Sequence, residues 1–113
     1  MYINYNNKQF RSVKNSSNGE VDNTTLFRYT QNENIVTGTY SGKQIIAGQL
    51  IATVDDSGIL TMRYQHLNSD GIFKYGHCIS TPEVQINGKI KLYEKWQWDC
   101  DDRSKGESIL EEI

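Results

Sequence analysis

The stretch KIKLYEKWQWDC, residues 89–100, decides the fold prediction. Its side chains alternate with a period of two, which is typical of a β-strand with one buried face. In an extended conformation one face carries the apolar side chains and one acid, namely Ile90, Leu92, Glu94, Trp96 and Trp98. Glu94 is the exception on this face, because it places a carboxylate among the most apolar side chains of the stretch.

The remaining sequence has the same character. Nine glycines and a single proline, Pro82, punctuate a chain rich in Asn, Ser, Thr, Ile and Tyr, a composition that favours strands and turns over helices. Cutting the chain at its turn signals predicts eight strands, near residues 8–13, 25–31, 35–40, 44–54, 59–68, 72–80, 89–98 and 105–112. The links are mostly short, so consecutive strands are expected to pair antiparallel. We predict an all-β up-and-down barrel, with a two-sheet β-sandwich as the alternative.

Length and charge restrict the class of protein. The 113 residues suit one domain, residues 1–113, and the formal net charge of −2 comes from interspersed charges without a basic stripe. Nucleic acid is therefore not an expected partner. A membrane is not expected either, because no apolar run approaches the roughly 20 residues needed to span a bilayer. The N-terminal MYINYNNKQF lacks the pattern of a signal peptide, so the expected location is the cytoplasm, where Cys78 and Cys100 would remain free thiols.

Two hairpins predict which strand faces meet. A two-residue turn at Asn87-Gly88 sets His77 opposite Trp98, and a four-residue loop over residues 68–71 sets Tyr64 opposite Tyr75. These registers place Cys78 on the outer face. They predict one continuous inner surface over three strands, formed by Leu60, Met62, Tyr64, His66, Phe73, Tyr75, His77, Ile79, Ile90, Leu92, Glu94, Trp96 and Trp98.

The polar groups on this predicted inner surface indicate a site. Polar groups that converge in an apolar cup are the usual composition of a small-molecule site. The predicted ligand-binding residues are Tyr64, Tyr75, His77, Glu94, Trp96 and Trp98. Because His66 lies near a turn, it is expected to be half-exposed.

Glu94 has three interpretations. It could belong to a buried ion pair or hydrogen-bond network, bind a ligand, or act as a catalytic acid or base. Its possible partners are Arg28, Arg63, His77 and Tyr64.

Three functions follow from these residues. The first is a small-molecule binding protein. The second is an acid–base enzyme of the isomerase, cyclase or lyase type, with Glu94 and His77 as the catalytic candidates. The third is an interaction protein that forms a homodimer through an outer face containing Arg63 and Tyr93. No cofactor is expected, since there is no phosphate loop or dinucleotide motif, and no metal is expected because the histidines and cysteines lack zinc spacing.

Two blocks of sequence carry a family resemblance. GQLIATVDDSGILTMRY (48–64) and NGKIKLYEKWQWD (87–99) resemble a small bacterial family of uncharacterised proteins whose members are often labelled "n-acetylglutamate synthase". Synthases that use acetyl-CoA have an α/β domain with a phosphate-binding loop before a helix, and this chain has no such strand–loop–helix unit, so we do not expect that activity. In architecture, the predicted barrel is similar to avidin-like and lipocalin-like proteins of the calycin type. This likeness implies a fold, and fold does not settle function.

Overall fold

The computed structural model of the chain describes residues 3–113. Eight β-strands follow the predicted positions within a few residues. They are β1 (Lys8–Asn15), β2 (Leu26–Asn32), β3 (Ile35–Ser41), β4 (Ile45–Val54), β5 (Leu60–Asn68), β6 (Phe73–Val84), β7 (Ile90–Trp98) and β8 (Lys105–Glu112). Within residues 3–113 no helix is long and apolar enough to cross a lipid bilayer.

The strands form a closed barrel. Each strand pairs antiparallel with the next one in sequence, and β8 returns to pair with β1, where Phe10 lies opposite Glu112. Closure removes the free sheet edges that would otherwise need protection. The predicted up-and-down barrel is therefore confirmed, and the alternative of a two-sheet sandwich is wrong.

The predicted registers of the β5–β6 and β6–β7 hairpins are both wrong by one residue, because each connecting loop has three residues. In the β5–β6 hairpin the Asn68 N–H donates to the Ile72 carbonyl oxygen at 2.9 Å, and three residues lie between the two. One of them, Gly71, has a φ of 77°. The β6–β7 hairpin repeats this arrangement, with Gly88 at a φ of 84°. A three-residue loop with glycine in the left-handed region is a common hairpin connection. The predicted loops had four and two residues instead of three, so each register was displaced by one residue.

The one-residue shift reverses the two faces of β6, because side chains alternate along a strand. Cys78 lies opposite Trp96, and Gly76 lies opposite Trp98. The inward side chains of β6 are therefore small, and Cys78 is buried rather than on the outer face as predicted. Cys78 and the half-buried Cys100 are both free thiols, as expected.

The larger side chains of β6 lie on the outer face of the barrel. Phe73 is 73% exposed, Tyr75 is 49% exposed and Ile79 is 44% exposed. The imidazole of His77 is 43% exposed. The prediction that these four residues face the interior is wrong, whereas the inner faces predicted for β5 and β7 are confirmed by the buried residues Leu60, Met62, Ile90, Leu92, Glu94, Trp96 and Trp98.

The two ends of the barrel are filled differently. At one end the N-terminal segment brings in Tyr5, whose hydroxyl donates to the Gly58 carbonyl oxygen. Its ring lies 6.5 Å from that of Phe10 and 6.2 Å from that of Tyr29. We call this half the packed end. It comprises Tyr5, Phe10, Tyr29, Val36, Leu60, Leu92 and Leu110, each at most 1% exposed.

The opposite end is crossed by the link between β1 and β2, residues 16–25, which we call the covering loop. The loop passes over the inner side chains of β7, and Gly19 lies so close to Trp96 that a Cβ on it would be 3.0 Å from the indole ring. We call this half the loop end. Because aromatic and polar side chains meet beneath a loop here, the loop end is the part of the barrel that resembles a site.

Candidate functional site

A cavity of about 50 Å³ lies beneath the covering loop, with room for a few water molecules. Its walls come from both the barrel and the loop. The aromatic walls are Phe27, Tyr40, Tyr64, Trp96 and Trp98, and the ionisable groups are Glu20, His66, Cys78 and Glu94. The packed end contributes none of these residues.

Glycines on neighbouring strands make room for the aromatic walls. Gly106 lies opposite Trp96 across the β7–β8 pair, and a Cβ built on it would approach the indole ring to 2.2 Å. Gly76 lies opposite Tyr64 in the same way, and a Cβ there would be 2.6 Å from the phenol oxygen. Real side chains do not approach so closely. The aromatic rings at the loop end therefore pack directly against strand backbone, at positions where only glycine leaves enough space.

Trp96 and Trp98 form one corner of the cavity. Their ring centroids are 5.6 Å apart in an edge-to-face arrangement, and the Tyr64 ring lies 5.9 Å from that of Trp98. Such arrangements are favourable for aromatic pairs. Both indole N–H groups are hydrogen-bonded at the base of the covering loop: Trp96 donates to Asn15 Oδ1 and Trp98 to the Asn18 carbonyl oxygen, each at 3.1 Å. The tryptophans therefore line the cavity and hold the loop.

Glu94 lies at the inner side of the cavity and is 8% exposed. Its position in the middle of β7 sets it opposite Ser80 on one side and Ser108 on the other. The Ser80 hydroxyl donates to Oε2 at 2.9 Å, and the Ser108 hydroxyl donates to Oε1 at 3.0 Å. Burial raises the pKa of Glu94 above its usual value, and the two serine hydrogen bonds offset part of that rise.

The four residues considered as partners of Glu94 make no hydrogen bond or ion pair with it, and the Tyr64 hydroxyl donates to the Gln97 carbonyl oxygen. Arg28 and Arg63 are exposed on the outer face, and His77 is directed there as well. Among the described residues the ion pairs do not include Glu94. Glu94 is therefore a buried carboxyl group that is hydrogen-bonded to hydroxyls and lacks a charged partner from this chain.

A second polar group connects the barrel to the covering loop. His66 Nε2 lies 2.8 Å from Glu20 Oε1, and Nδ1 lies 2.9 Å from the Tyr40 hydroxyl. Since an ionised carboxylate can only accept, Nε2 carries the proton and Nδ1 accepts from Tyr40. Asn68 Nδ2 donates to the other Glu20 oxygen at 3.2 Å. Burial lowers the pKa of His66, and Glu20 opposes part of that effect. His66 is only 3% exposed, so the expected half-exposed position is wrong.

The geometry can be compared with known proteins. The family model of the avidin-like proteins matches residues 3–113, which is nearly the whole chain. The chain belongs to the avidin-like family. Neither the curated proteins nor the solved structures contained a match.

This avidin-like barrel brings together four of the six predicted binding residues. Tyr64, Glu94, Trp96 and Trp98 line one cavity, and their part in binding stays a prediction. The structure places the other two, Tyr75 and His77, on the outer face. The predicted combination of Glu94 with His77 in one cup is therefore wrong.

The outer histidine has its own partners. His77 Nδ1 lies 3.0 Å from both carboxylate oxygens of Asp99, and Arg63 NH1 lies 3.9 Å from Asp99 Oδ2. Arg63 and Tyr93 are exposed, and the homodimer suggested for this surface stays a prediction. Over residues 3–113 no group of three or more His, Cys, Asp or Glu side chains is arranged to hold a metal ion.

Several residues of the avidin-like cavity were not predicted. Ser80 and Ser108 could have been found from the correct register, because they lie directly opposite Glu94 on its two neighbouring strands. Tyr40 could have been found from its position in the alternation of inward and outward side chains along β3. Glu20 carries no such signal because it lies in an irregular loop. Asn15 ends β1 after a register shift between Ser12 and Lys14, which breaks the simple alternation.

Proposed function

We propose that this avidin-like barrel binds a small organic molecule at its loop end, in the cavity beneath the covering loop. Trp96 and Trp98 would supply apolar walls, and Glu94 would supply the polar group that orients the ligand. The observation that carries the proposal is the presence of a buried carboxyl group at the inner side of an aromatic cavity whose outer wall is a loop. An apolar pocket with a few convergent polar groups is the usual form of a small-molecule site.

The size of the cavity implies that the covering loop moves when a ligand enters. A space of about 50 Å³ holds a few waters, and a ligand of more than a few atoms needs more room. The part of the loop over the cavity is held by separate hydrogen bonds from Trp98 to Asn18 and from His66 and Asn68 to Glu20. Further hydrogen bonds join the rest of the loop to residues 104–107 and 43–44. Each such bond typically contributes about 0.5 to 1.5 kcal/mol net. Lifting the part of the loop over the cavity would therefore break only a few such bonds while the strands remain paired.

A thermal-shift screen of small metabolites tests the proposal. Biotin belongs in the panel because avidin-like proteins bind ligands such as biotin. A compound that binds the folded protein raises the melting temperature by mass action. Compounds that stabilise the wild type should lose that effect in Trp96→Leu, which keeps an apolar side chain but removes the aromatic wall.

The matched control is Tyr93→Leu, which removes an aromatic ring from the outer face of the same strand. It should retain the ligand-induced shift. The proposal fails if no compound stabilises the wild type, or if Tyr93→Leu abolishes the shift and Trp96→Leu does not.

A further inference from the structure

We infer that the ligand of the loop-end cavity is a small organic cation, such as a primary or quaternary ammonium ion, whose positive charge lies against Glu94 among the aromatic walls. This inference rests on the proposed function, because it specifies the chemical class of the ligand for that site. It is carried by the distribution of charge inside the barrel and by the kind of side chain that surrounds it.

The first step is the missing countercharge. All 12 lysine and arginine residues are exposed or half-exposed, so the chain places none of its permanent cations beside Glu94. The Ser80 hydroxyl and the Cys78 thiol donate to Oε2, and the Ser108 hydroxyl donates to Oε1. A carboxylate offers about four acceptor positions, so capacity remains for a donor that enters the cavity. A buried carboxylate is costly unless it is paired, and a ligand cation would provide the pair.

The second step is the nature of the walls. Cations are attracted to the faces of aromatic rings within about 6 Å of the centroid, most strongly to tryptophan. The chain already uses one of these rings in this way: Lys74 Nζ lies 5.3 Å from the ring centroid of Trp98. That lysine is itself paired with Asp101 at the rim, so its charge is already balanced. The indole and phenol rings around the cavity offer a second cation the same attraction.

The third step excludes the opposite charge. A ligand carboxylate or phosphate in this cavity would lie near Glu94, and the loop adds a second acid, Glu20, beside the cavity. His66 is the nearest basic side chain to that acid, and its two ring nitrogens are already hydrogen-bonded to Glu20 and Tyr40. Like charges in a poorly solvated site are strongly unfavourable. An anionic ligand would therefore have to keep Glu94 protonated and would gain no charged partner from it, whereas a cation gains an ion pair with the ionised carboxylate.

A charge-matched series of butylammonium, 1-butanol and butyrate tests the inference, because the three compounds share a similar chain and differ in the charge of the head group. Binding is followed by tryptophan fluorescence, which reports on the site because the only two tryptophans of the chain, Trp96 and Trp98, line the cavity. We expect butylammonium to bind at least tenfold more tightly than butanol. Butyrate should not bind.

The variant Glu94→Gln removes the charge and keeps the shape. It should weaken butylammonium binding by at least tenfold, which corresponds to ~1.4 kcal/mol, and weaken butanol binding by a smaller factor. The control Glu107→Gln removes an exposed carboxylate from the adjacent strand and should leave the affinity for butylammonium unaltered. If Glu94→Gln does not fold, the charge series on the wild type still decides the question.

The two proposals can fail separately. If butanol or butyrate binds the wild type as tightly as butylammonium, or if none of the three binds while the metabolite screen yields neutral or anionic ligands, the inference is overturned and the binding function stands. If neither the series nor the screen yields any ligand at the loop end, both are overturned.

Discussion

The packed end and the loop end of the barrel are built on the same eight strands, yet their interiors differ. At the packed end Tyr5, Phe10 and Tyr29 form an aromatic cluster with centroid distances of 4.9 to 6.5 Å, and none of the three lines the loop-end cavity. At the loop end the aromatic rings surround a cavity, and the polar groups beside it include Glu20, His66 and Glu94. The strands thus provide a stable frame at one end, while the other end keeps space and polarity that stability alone does not require.

The two ends should differ most in how far a leucine-to-alanine substitution lowers the free energy of unfolding. Leu92 is fully buried at the packed end, whereas Leu50 borders the loop-end cavity. Leu92→Ala should lower the free energy of unfolding by about 2 to 5 kcal/mol, since it removes a side chain that is surrounded on all sides. Leu50→Ala should cost less, because a side chain beside a void has fewer contacts to lose. Urea unfolding of the two variants measures both costs, and an equal or larger cost for Leu50→Ala would contradict this distinction.

A smaller effect should appear in the dependence of stability on pH. Because burial raises the pKa of Glu94 above its usual 4.5, the folded state retains this proton at pH values where the unfolded chain has lost it. Stability from this group is therefore present at low pH and is lost as the pH rises from about 4.5 through the raised pKa. The wild type should lose stability relative to Glu94→Gln over that interval.

Urea unfolding at a series of pH values checks this prediction, with Leu92→Ala as the control. The difference between the wild type and Leu92→Ala should not change with pH, since the substituted leucine does not titrate. If the difference in free energy of unfolding between the wild type and Glu94→Gln is equally independent of pH, burial does not raise the pKa of Glu94 in the folded state.

The sequence was sufficient for the barrel and for the parts of the cavity wall that β5 and β7 supply, and particular residues show why. Along β5 and β7 most apolar side chains, among them Met62, Leu92 and Trp96, have the same parity, which predicts one buried face for each strand. On β6 the larger side chains, such as Phe73 and Tyr75, face outward, and small ones face inward. Space fits this arrangement, because a larger inward side chain in place of Gly76 would meet the Tyr64 ring and the Gln97 backbone.

The features that could not be predicted from the sequence depend on loops. The register of β6 is set by whether its flanking loops contain two, three or four residues, and the sequences NSDG and QING are compatible with more than one of these lengths. The contact between Glu20 and His66 joins residues 46 positions apart through an irregular loop. Neither periodicity nor strand pairing specifies such a contact.

The most direct test of the account is the location of binding on the folded protein. Nitrogen–proton correlation spectra recorded during a titration with butylammonium follow the two indole N–H signals together with the backbone of the whole barrel. The account predicts that the signals of Trp96 and Trp98 shift, along with those of the covering loop, while signals at the packed end remain in place. Shifts confined to the outer face around Phe73 and Tyr75, with both indole signals unchanged, would contradict it.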